Sequence, residues 1–294
     1  MDYYLHLIIL ICIFTLLSQS LNLAAGKTGL ISLAHAGFYG IGAYTTAILT
    51  THFEFSFWVN LPIAIFICSI VAFLVSLIAL RTVEDYFIIC TLGIQAIIFS
   101  LMNNWIDVTK GPSGIPGISS IKLFGENIDG KTPFLILSLS FMLLIWYLLK
   151  NLSKSNFGKT LVAISEDEIY TKSIGKDVYK SKTIAFTLSA MLAAIPGALY
   201  AHYISYIDPT SFTVNESIYI LSIVIIGGLG NLSGSFFSAV FLVLLPEALR
   251  FVGMPNSIAA NMKQIIYGLI LIIVMMSGKN GLKELFTGKR IFKT

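Results

Sequence analysis

Two short stretches of the sequence carry the lysine and hydroxyl residue that end a phosphate-binding loop. Residues 26–28 and 158–160 both read Gly-Lys-Thr, as in the motif G-x-x-x-x-G-K-[ST]. The first glycine of that motif is missing in both stretches, because Leu21 and Ser153 occupy its position. We therefore expect neither stretch to bind a nucleotide, so that ATP hydrolysis would have to come from another chain.

Serine and thiol chemistry are not supported by the surroundings of the residues that would carry it. The stretch GPSG at 111–114 resembles the glycine-flanked setting of a nucleophilic serine, with His202 as the imaginable base. Ser113 lies in a turn-rich connection, however, and no spacing places His202 within reach, so a structural turn is favoured. Three cysteines lie in apolar runs without metal-site or disulfide spacing: Cys12, Cys68 and Cys90. We predict no catalytic residue, no bound cofactor and no metal in this chain.

Carboxylates are scarce where an ion-coupled carrier would need them. Such carriers place ionisable side chains well inside their membrane spans. Here Glu84, Asp85 and Glu216 lie at the ends of apolar runs, and Glu247 lies four positions from such an end. This distribution argues against ion coupling, and an ion-coupled carrier is the less favoured alternative.

The composition predicts a membrane protein. Of 294 residues, 56% are hydrophobic and 12% charged, and the mean hydropathy is +0.85, whereas about 25% of the residues of a soluble domain are charged. Apolar runs recur along the whole length, so we expect an all-α polytopic protein with one transmembrane domain over residues 1–294. The N-terminal stretch lacks a basic region and a cleavage pattern and is interpreted as a retained span. We expect contact with lipid and no nucleic-acid partner.

A ruler of about 20 apolar residues per span predicts eight or nine membrane helices. The last pair before the C-terminal span is short and interrupted by GGLGNLSGS, so it is either two spans or one broken, re-entrant unit. The predicted spans are 4–24, 29–51, 57–80, 84–106, 132–150, 183–204, 216–229, 234–250 and 262–277.

Basic residues predict the orientation, because short loops rich in Lys and Arg stay in the cytoplasm. The connection 151–182 with the preceding Lys150 holds seven lysines, and the tail 278–294 holds five basic residues. We therefore expect the N-terminus outside and the C-terminus inside. The connection 151–182 also alternates apolar and charged residues at helical spacing, which predicts short helices that lie against another protein; a solvated loop is the alternative.

Small residues recur at helical spacing inside the predicted spans, as Ser189, Ala193, Gly197 and Ala201 do in the span 183–204. Such stripes allow close helix packing, and they are also typical of deformable or broken helices around a polar pathway. We consider both interpretations. The predicted packing or hinge residues are Gly40, Gly42, Pro196, Gly197, Gly227, Gly228 and Gly230. The predicted pathway residues are Ser32, His35, Gly37 and Asn104.

Four blocks of sequence, in order, resemble the bacterial branched-chain amino acid ABC importer permeases of the LivM type. They are GLISLAHAGFYGIGAYTTAIL at 29–49 and three longer blocks at 84–118, 165–212 and 225–250. The resemblance implies an ABC importer permease fold and import of hydrophobic, branched-chain amino acids across the bacterial inner membrane. Urea permeases resemble the same family, so urea or another amide is an alternative cargo.

The resemblance also implies partners and a coupling region. Such a permease pairs with a second permease of the LivH type and with two cytoplasmic ATPases that bind ATP and Mg²⁺. An external binding protein delivers the substrate. The connection 151–182 resembles the region that docks on the ATPase, and Glu168, Gly175 and Lys176 lie near the acidic and glycine positions of its coupling motif. The chain is then a transport subunit and not an enzyme.

Overall fold

The computed structural model describes residues 2–82, 84–123, 126–127 and 130–251, together with six single positions between 262 and 272. The predicted span 262–277 lies outside the described residues except for those positions, and the predicted tail 278–294 lies outside them entirely. The helices are α1 (Asp2–Thr28), α2 (His35–Phe53), α3 (Phe57–Ala79), α4 (Glu84–Asn104), α5 (Ile106–Thr109), α6 (Lys131–Lys154), α7 (Asn156–Glu166), α8 (Glu168–Ser173), α9 (Val178–Ile204), α10 (Val214–Gly227) and α11 (Leu232–Phe251).

Four two-residue strands complete the secondary structure of the described residues. Strand β1 (Ile115–Pro116) pairs antiparallel with β4 (Tyr206–Ile207), and β2 (Lys122–Leu123) pairs antiparallel with β3 (Glu126–Asn127). The β1–β4 pair ties the connection after α4 to the connection after α9. The described part of the chain is therefore an all-α membrane protein, as predicted, with small strand pairs only in its connections.

Helix α1 lies at the centre of the bundle and packs against α6, α9, α10 and α11. Its apolar residues, such as Ile13, Leu16 and Leu17, are fully buried. Helices α3, α4 and α6 instead expose large apolar side chains on their outer faces, among them Phe66 and Ile136. Exposed apolar faces on helices of this length are those that a bilayer covers.

Five helices of the described residues are long and apolar enough to cross a membrane: α1, α3, α4 (from Asp85), α6 and α9. Helix α2 has 19 residues but falls short in apolarity because glycines, threonines and two histidines interrupt it. The predicted span over 29–51 is wrong at its start, because residues 29–34 are not helical and α2 begins at His35. The predicted total of eight or nine spans stays a prediction.

The interrupted pair at 216–250 forms two helices, α10 and α11, joined by a turn at 228–231. Helix α10 has 14 residues, which is about 21 Å at 1.5 Å per residue and shorter than the hydrocarbon layer of about 30 Å. Helix α11 has 20 residues and is long enough to cross that layer. Gly227 and Gly234 allow the two helices to touch, because a Cβ on Gly227 would lie 2.5 Å from the carbonyl carbon of Gly234.

The bundle has two ends that differ in charge. At one end, which we call the α7–α8 end, α7 contacts α1 and α6, and Lys27 lies against the turn before α11. At the opposite end, Lys131 donates to the Asp2 carbonyl oxygen over 3.3 Å, and Tyr3 donates to the Glu247 carboxylate. All seven lysines of 150–182 belong to the first end.

The connection 151–182 contains two short helices, as predicted. Side chains cap the N-termini of three successive helices there, α7, α8 and α9. Ser155 Oγ accepts from the Gly158 amide over 3.1 Å at the start of α7. Asp167 Oδ1 accepts from the Tyr170 amide over 2.8 Å at the start of α8, and Asp177 Oδ1 caps α9 in the same way. These caps satisfy first-turn amides that have no partner within the helix, so the segment is helical without burial on all sides.

Close backbone contact between α2 and α9 holds the core together. A Cβ on Gly42 would lie 2.5 Å from Ala194 Cα, and a Cβ on Gly197 would lie 2.3 Å from the Tyr39 carbonyl oxygen. The predicted stripe on α9 is therefore a packing surface for α2, and Pro196 lies within it in a helix that continues to Ile204. Gly40 serves a different contact, since its Cβ would meet the Met102 and Phe212 side chains.

We expect Gly42→Val to destabilise the protein by about 1–3 kcal/mol, because the added methyl groups would overlap the α9 backbone. The measurement is the thermal unfolding midpoint of the detergent-purified protein. Gly93→Val is the matched control, since Gly93 lies in α4 and a Cβ at that position would have no neighbouring heavy atom within 4 Å. Equal midpoints for the two variants would contradict the close contact.

Candidate functional site

A run of polar residues lies inside the central helix. The residues are buried in the middle and second half of α1, where an apolar span would ordinarily carry none. They are Thr15, Ser18, Gln19, Ser20 and Asn22. Polar groups at membrane depth are costly unless they are paired, and they mark helix contacts or functional sites in membrane proteins. Two of them, Ser20 and Asn22, pair with segments that are not regular spans.

Ser20 pairs with the beginning of α2. His35, the first residue of α2, is buried, and its Nε2 lies 2.7 Å from Ser20 Oγ. Ser20 Oγ also lies 2.7 Å from the Leu17 carbonyl oxygen of its own helix. Ser20 lies eight residues before the end of α1, or about 12 Å along its axis. Helix α2 therefore begins inside the bundle, after residues 29–34 have run back along α1.

Side chains of two other helices satisfy the amides at the start of α2. Gln95 Oε1 in α4 accepts from the Gly37 amide over 2.6 Å, and Ser217 Oγ in α10 accepts from the Ala36 amide over 3.0 Å. Thr91, one turn before Gln95, accepts from the amide of residue 33 over 3.1 Å. An internal helix start exposes its first amides to hydrocarbon, and these hydroxyl and amide groups supply the missing acceptors.

Gln95 also reaches the second interrupted region of the chain. Its Nε2 donates to the Phe212 carbonyl oxygen over 2.7 Å, in the short 3-10 turn Pro209–Phe212 that precedes α10. One buried amide thus links the start of α2 to the segment that leads into α10. We call this group the polar junction, and it consists of Ser20, His35, Thr91, Gln95 and Ser217.

The predicted pathway residues do not all lie at one site. His35 belongs to the polar junction, and Gly37 borders it, because a Cβ on Gly37 would lie 2.8 Å from Gln95 Oε1. Ser32 is buried, and its hydroxyl accepts from the Ala34 amide over 3.2 Å. Asn104 lies at the end of α4, where its exposed side chain donates to Ser100 Oγ over 2.9 Å. The role of each in transport stays a prediction.

Asn22 ties the turn between α10 and α11 to the central helix. Its Oδ1 accepts from the Gly230 amide over 2.7 Å, and its Nδ2 donates to Ser235 Oγ over 2.8 Å and to the Asn231 carbonyl oxygen over 3.2 Å. Gly230 approaches α1 so closely that its amide nitrogen lies 2.2 Å from where a Cβ of Gly26 would be. Of the predicted hinge glycines, Gly227 ends α10 and Gly228 and Gly230 lie in the turn, which the Asn22 side chain ties to α1 through Gly230 and Asn231.

The residues that sequence reasoning missed are polar residues inside spans: Ser20, Asn22, Thr91, Gln95 and Ser217. Their signal in the sequence is polarity within an apolar run, as in SQSLN at 18–22 and GIQAI at 93–97. That signal identifies polar residues that need partners, and it does not identify the partners.

The predicted coupling residues lie on and after α8. Glu168 forms an ion pair with Lys182 at the start of α9. Gly175 has φ +82° and ends the connection from α8, and Lys176 next to it is exposed. Between them, α8 presents Ile169 to solvent with 84% of its surface exposed, and Tyr170 beside it with 63%. An exposed isoleucine and tyrosine between charged residues are typical of a protein contact.

The alternative chemistries find no supporting geometry in the described residues. Residues 26–28 lie in the last turn of α1 and 158–160 in α7, so neither Gly-Lys-Thr stretch forms a phosphate-binding loop. His202 Nδ1 lies 2.7 Å from the Ser119 carbonyl oxygen, and its Nε2 has no hydrogen-bond partner among the described residues, so His202 makes no hydrogen bond to Ser113. No group of three or more His, Cys, Asp or Glu side chains within the described ranges could hold a metal.

Residues 3–275 match the family described as "branched-chain amino acid transport system / permease component". The chain is 34% identical over 261 residues to the high-affinity branched-chain amino acid transport system permease protein LivM of Salmonella typhimurium and to that of Escherichia coli, which covers 81% of this chain and 61% of each relative. It is 24% identical over 277 residues to a probable branched-chain amino acid transport permease protein LivH of Methanocaldococcus jannaschii, which covers 90% of this chain and 84% of that protein. The chain thus spans about three fifths of the length of the LivM relatives. No solved structure gives a significant match.

We expect Gln95→Leu to destabilise the protein, because it leaves the Phe212 carbonyl oxygen without its donor and the Gly37 amide with only the Ala34 carbonyl oxygen as acceptor. An unsatisfied buried group costs about 1–3 kcal/mol, so the thermal unfolding midpoint of the purified protein falls. Asn104→Leu is the control, since it removes an amide of the same helix that lies at the surface. A Gln95→Leu midpoint no lower than that of Asn104→Leu would contradict the role of Gln95 at the polar junction.

Proposed function

Because the chain belongs to the family of branched-chain amino acid transport permease components, the family predicted from its four motif blocks, we propose that it is the transmembrane permease subunit of an ATP-driven importer. Its cargo is branched-chain, hydrophobic amino acids, and its location is the bacterial inner membrane. The single observation that carries this proposal is the match over residues 3–275. The 34% identity to two LivM permeases supports the choice of cargo.

The interior chemistry suits a cargo without net charge. The buried polar side chains of the described residues are Ser, Thr, Asn, Gln and His, and no Asp, Glu, Lys or Arg is among them. An amino acid zwitterion with an apolar side chain needs hydrogen-bond partners and an apolar surface and no compensating charge. The polar junction offers neutral groups at the place where α2 and the segment before α10 are interrupted, which is where transporters place a substrate path.

The distribution of charge supports the proposed orientation. The α7–α8 end carries Lys27 and the seven lysines of 150–182, and short basic loops remain in the cytoplasm. The N-terminus is then outside and the C-terminus inside, with one transmembrane domain over residues 1–294. Residues 205–213 and α10 lead from the outer end of α9 to the turn at 228–231 at the α7–α8 end, and α11 and the C-terminal segment supply the last spans of the predicted set.

The ATPase subunits of the importer are proposed to dock at the α7–α8 end. Two cytoplasmic subunits dock at this end and bind ATP and Mg²⁺ themselves, since neither Gly-Lys-Thr stretch of this chain forms a nucleotide site. Ile169 and Tyr170 on α8 are the anchors that this surface offers, and Glu168 is held towards α9 by Lys182. A second permease of the LivH type and an external binding protein complete the importer.

Uptake of radiolabelled leucine into proteoliposomes tests the proposal. The vesicles contain this chain, the second permease and the ATPase subunits, and the binding protein is added outside. We expect uptake that requires both ATP and the binding protein. Uptake without ATP would instead support an ion-coupled carrier, and uptake of urea in place of leucine would identify the alternative cargo.

We expect Ile169→Asp to weaken the association with the ATPase subunits by about tenfold or more, because it places a charge in the centre of an apolar contact. The measurement is the amount of ATPase that co-purifies with the tagged permease. Asn156→Asp is the control, because it adds the same charge to an exposed position at the same end of the bundle. If both variants retain the ATPase equally, the contact lies elsewhere.

A further inference from the structure

An apolar cleft opens outward between α6 and α11, with α1 as its floor. It has a volume of about 310 Å³, within the range of small-molecule sites. Its rim faces the surroundings of the bundle, since Leu143 is 54% exposed and Phe237 is 69% exposed. The described residues that line it are Gln19, Met142, Leu143, Trp146, Ser233, Phe236 and Phe237. An occupant of this cleft therefore has to be apolar over most of its length.

The α6 wall of the cleft changes from apolar to basic along one ridge of the helix. Met142, Trp146, Lys150 and Lys154 follow each other at intervals of four residues, and residues so spaced form one ridge. From Met142 to Lys154 the ridge is about 18 Å long, close to the 20 Å or so that one leaflet has with its headgroups. Its order of apolar, aromatic and cationic side chains matches the acyl chain, interface and phosphate of a phospholipid.

Lys150 lies at the rim of the cleft with its charge available. Its Nζ lies 4.6 Å from the centroid of the Trp146 ring, a cation–π distance, and Trp146 itself lines the cleft. Lys150 and Lys154 are both exposed, and no carboxylate of the described residues forms an ion pair with either. Two unpaired ammonium groups thus follow the apolar cleft on its α7–α8 side.

The charge of these lysines selects the occupant. It has to be anionic at one end and apolar over the rest, which within a bilayer describes an anionic phospholipid. Basic pockets between transmembrane helices bind the headgroups of such lipids on the cytoplasmic side, and Trp marks the headgroup level. A helix of another protein would cover the apolar walls and leave both lysines without an anion.

We infer that the cleft binds an acyl chain of an anionic phospholipid whose phosphate pairs with Lys150 and Lys154. The acyl chain lies between Trp146 of α6 and Phe237 of α11. The inference rests on the proposed function only for its orientation, which places the α7–α8 end in the cytoplasmic leaflet. It adds a specific lipid site to that function.

Trp146 reports directly on the site. The chain has three tryptophans, and Trp58 and Trp105 lie at the opposite end of the bundle, beside the connection between α4 and α6. Bromine atoms on an acyl chain quench the fluorescence of a tryptophan that the chain contacts. The test reconstitutes the full chain, and separately the assembled importer, in phosphatidylcholine vesicles. An increasing fraction of that lipid is replaced by brominated phosphatidylglycerol or by brominated phosphatidylcholine.

The emission of Trp146 is the difference between the wild type and Trp146→Phe. We expect its half-quenching at a fraction of brominated phosphatidylglycerol at least about fivefold below that of brominated phosphatidylcholine, because one lysine near anionic lipid gives about a fivefold preference. The corresponding difference for Trp105→Phe, at the opposite end, is expected to show no preference between the two lipids.

Variants separate the charge from the cleft. We expect Lys150→Gln to lower the preference about fivefold, and the double variant Lys150→Gln/Lys154→Gln to remove it. Lys172→Gln is the matched control, since it removes an exposed lysine of α8 at the same end of the bundle. Ser233→Phe fills the cleft and is expected to remove the preference although both lysines remain.

Equal quenching of wild-type Trp146 by the two lipids would overturn the inference, as would a preference that survives in the double lysine variant or in Ser233→Phe. Displacement of brominated phosphatidylglycerol by inorganic phosphate, beyond the effect of sodium chloride at equal ionic strength, would show a simple anion site and overturn the acyl-chain contact.

Two further outcomes are distinct. Loss of all lipid quenching of Trp146 in the assembled importer would show that a helix of the second permease covers the cleft, and would overturn the lipid site. Failure of the importer to take up leucine, with the preference for phosphatidylglycerol intact, would overturn the proposed function alone.

Discussion

Backbone amides inside a bilayer must have partners, and this requirement governs the centre of the molecule. Helix α2 begins level with Ser20, about 12 Å inside the end of α1, where its first amides need protein partners. Gln95 and Ser217 accept from two of them. Both come from other helices, so the start of α2 is only as stable as the packing of α4 and α10 beside it.

Through Gln95, the start of α2 and the segment before α10 depend on each other. Its Oε1 holds the Gly37 amide and its Nε2 holds the Phe212 carbonyl oxygen, so the two interrupted segments share one side chain. A displacement of the segment before α10 therefore removes a partner from the start of α2 as well. Asn22 has a comparable position two residues beyond Ser20, where it links α1 to the turn between α10 and α11. The central helix thus contacts both interruptions through neutral hydrogen bonds.

Close packing of small residues makes these hydrogen bonds reachable. Gly42 and Gly197 bring α2 and α9 into backbone contact, and Gly26 and Gly230 do the same for α1 and the α10–α11 turn. A larger side chain at these positions would push the helices apart and lengthen the hydrogen bonds between them. A Cβ at Gly93 or Gly29, in contrast, would have no neighbouring heavy atom within 4 Å, so a glycine in this sequence does not by itself indicate a contact.

Much of the architecture could be predicted from the residues alone. The apolar runs identified α1, α3, α4, α6 and α9 as spans, and the alternation of charged and apolar residues predicted the short helices α7 and α8. The spacing of Ser189, Ala193 and Gly197 predicted a smooth face on α9. The prediction of a span from residue 29 was wrong, because residues 29–34 continue the apolar run and yet are not helical, and they run back along α1 to bring His35 to Ser20.

The sequence by itself determined the class of protein, its apolar helices and its family, because hydropathy, helical spacing and motif order are properties of neighbouring residues. Only the tertiary structure decided which polar residues meet. Gly37 and Gln95 are 58 residues apart, Ala36 and Ser217 are 181 apart, and Asn22 and Gly230 are 208 apart. A buried polar residue indicates that it needs a partner, but the partner is chosen by the packing of whole helices, which no local pattern records.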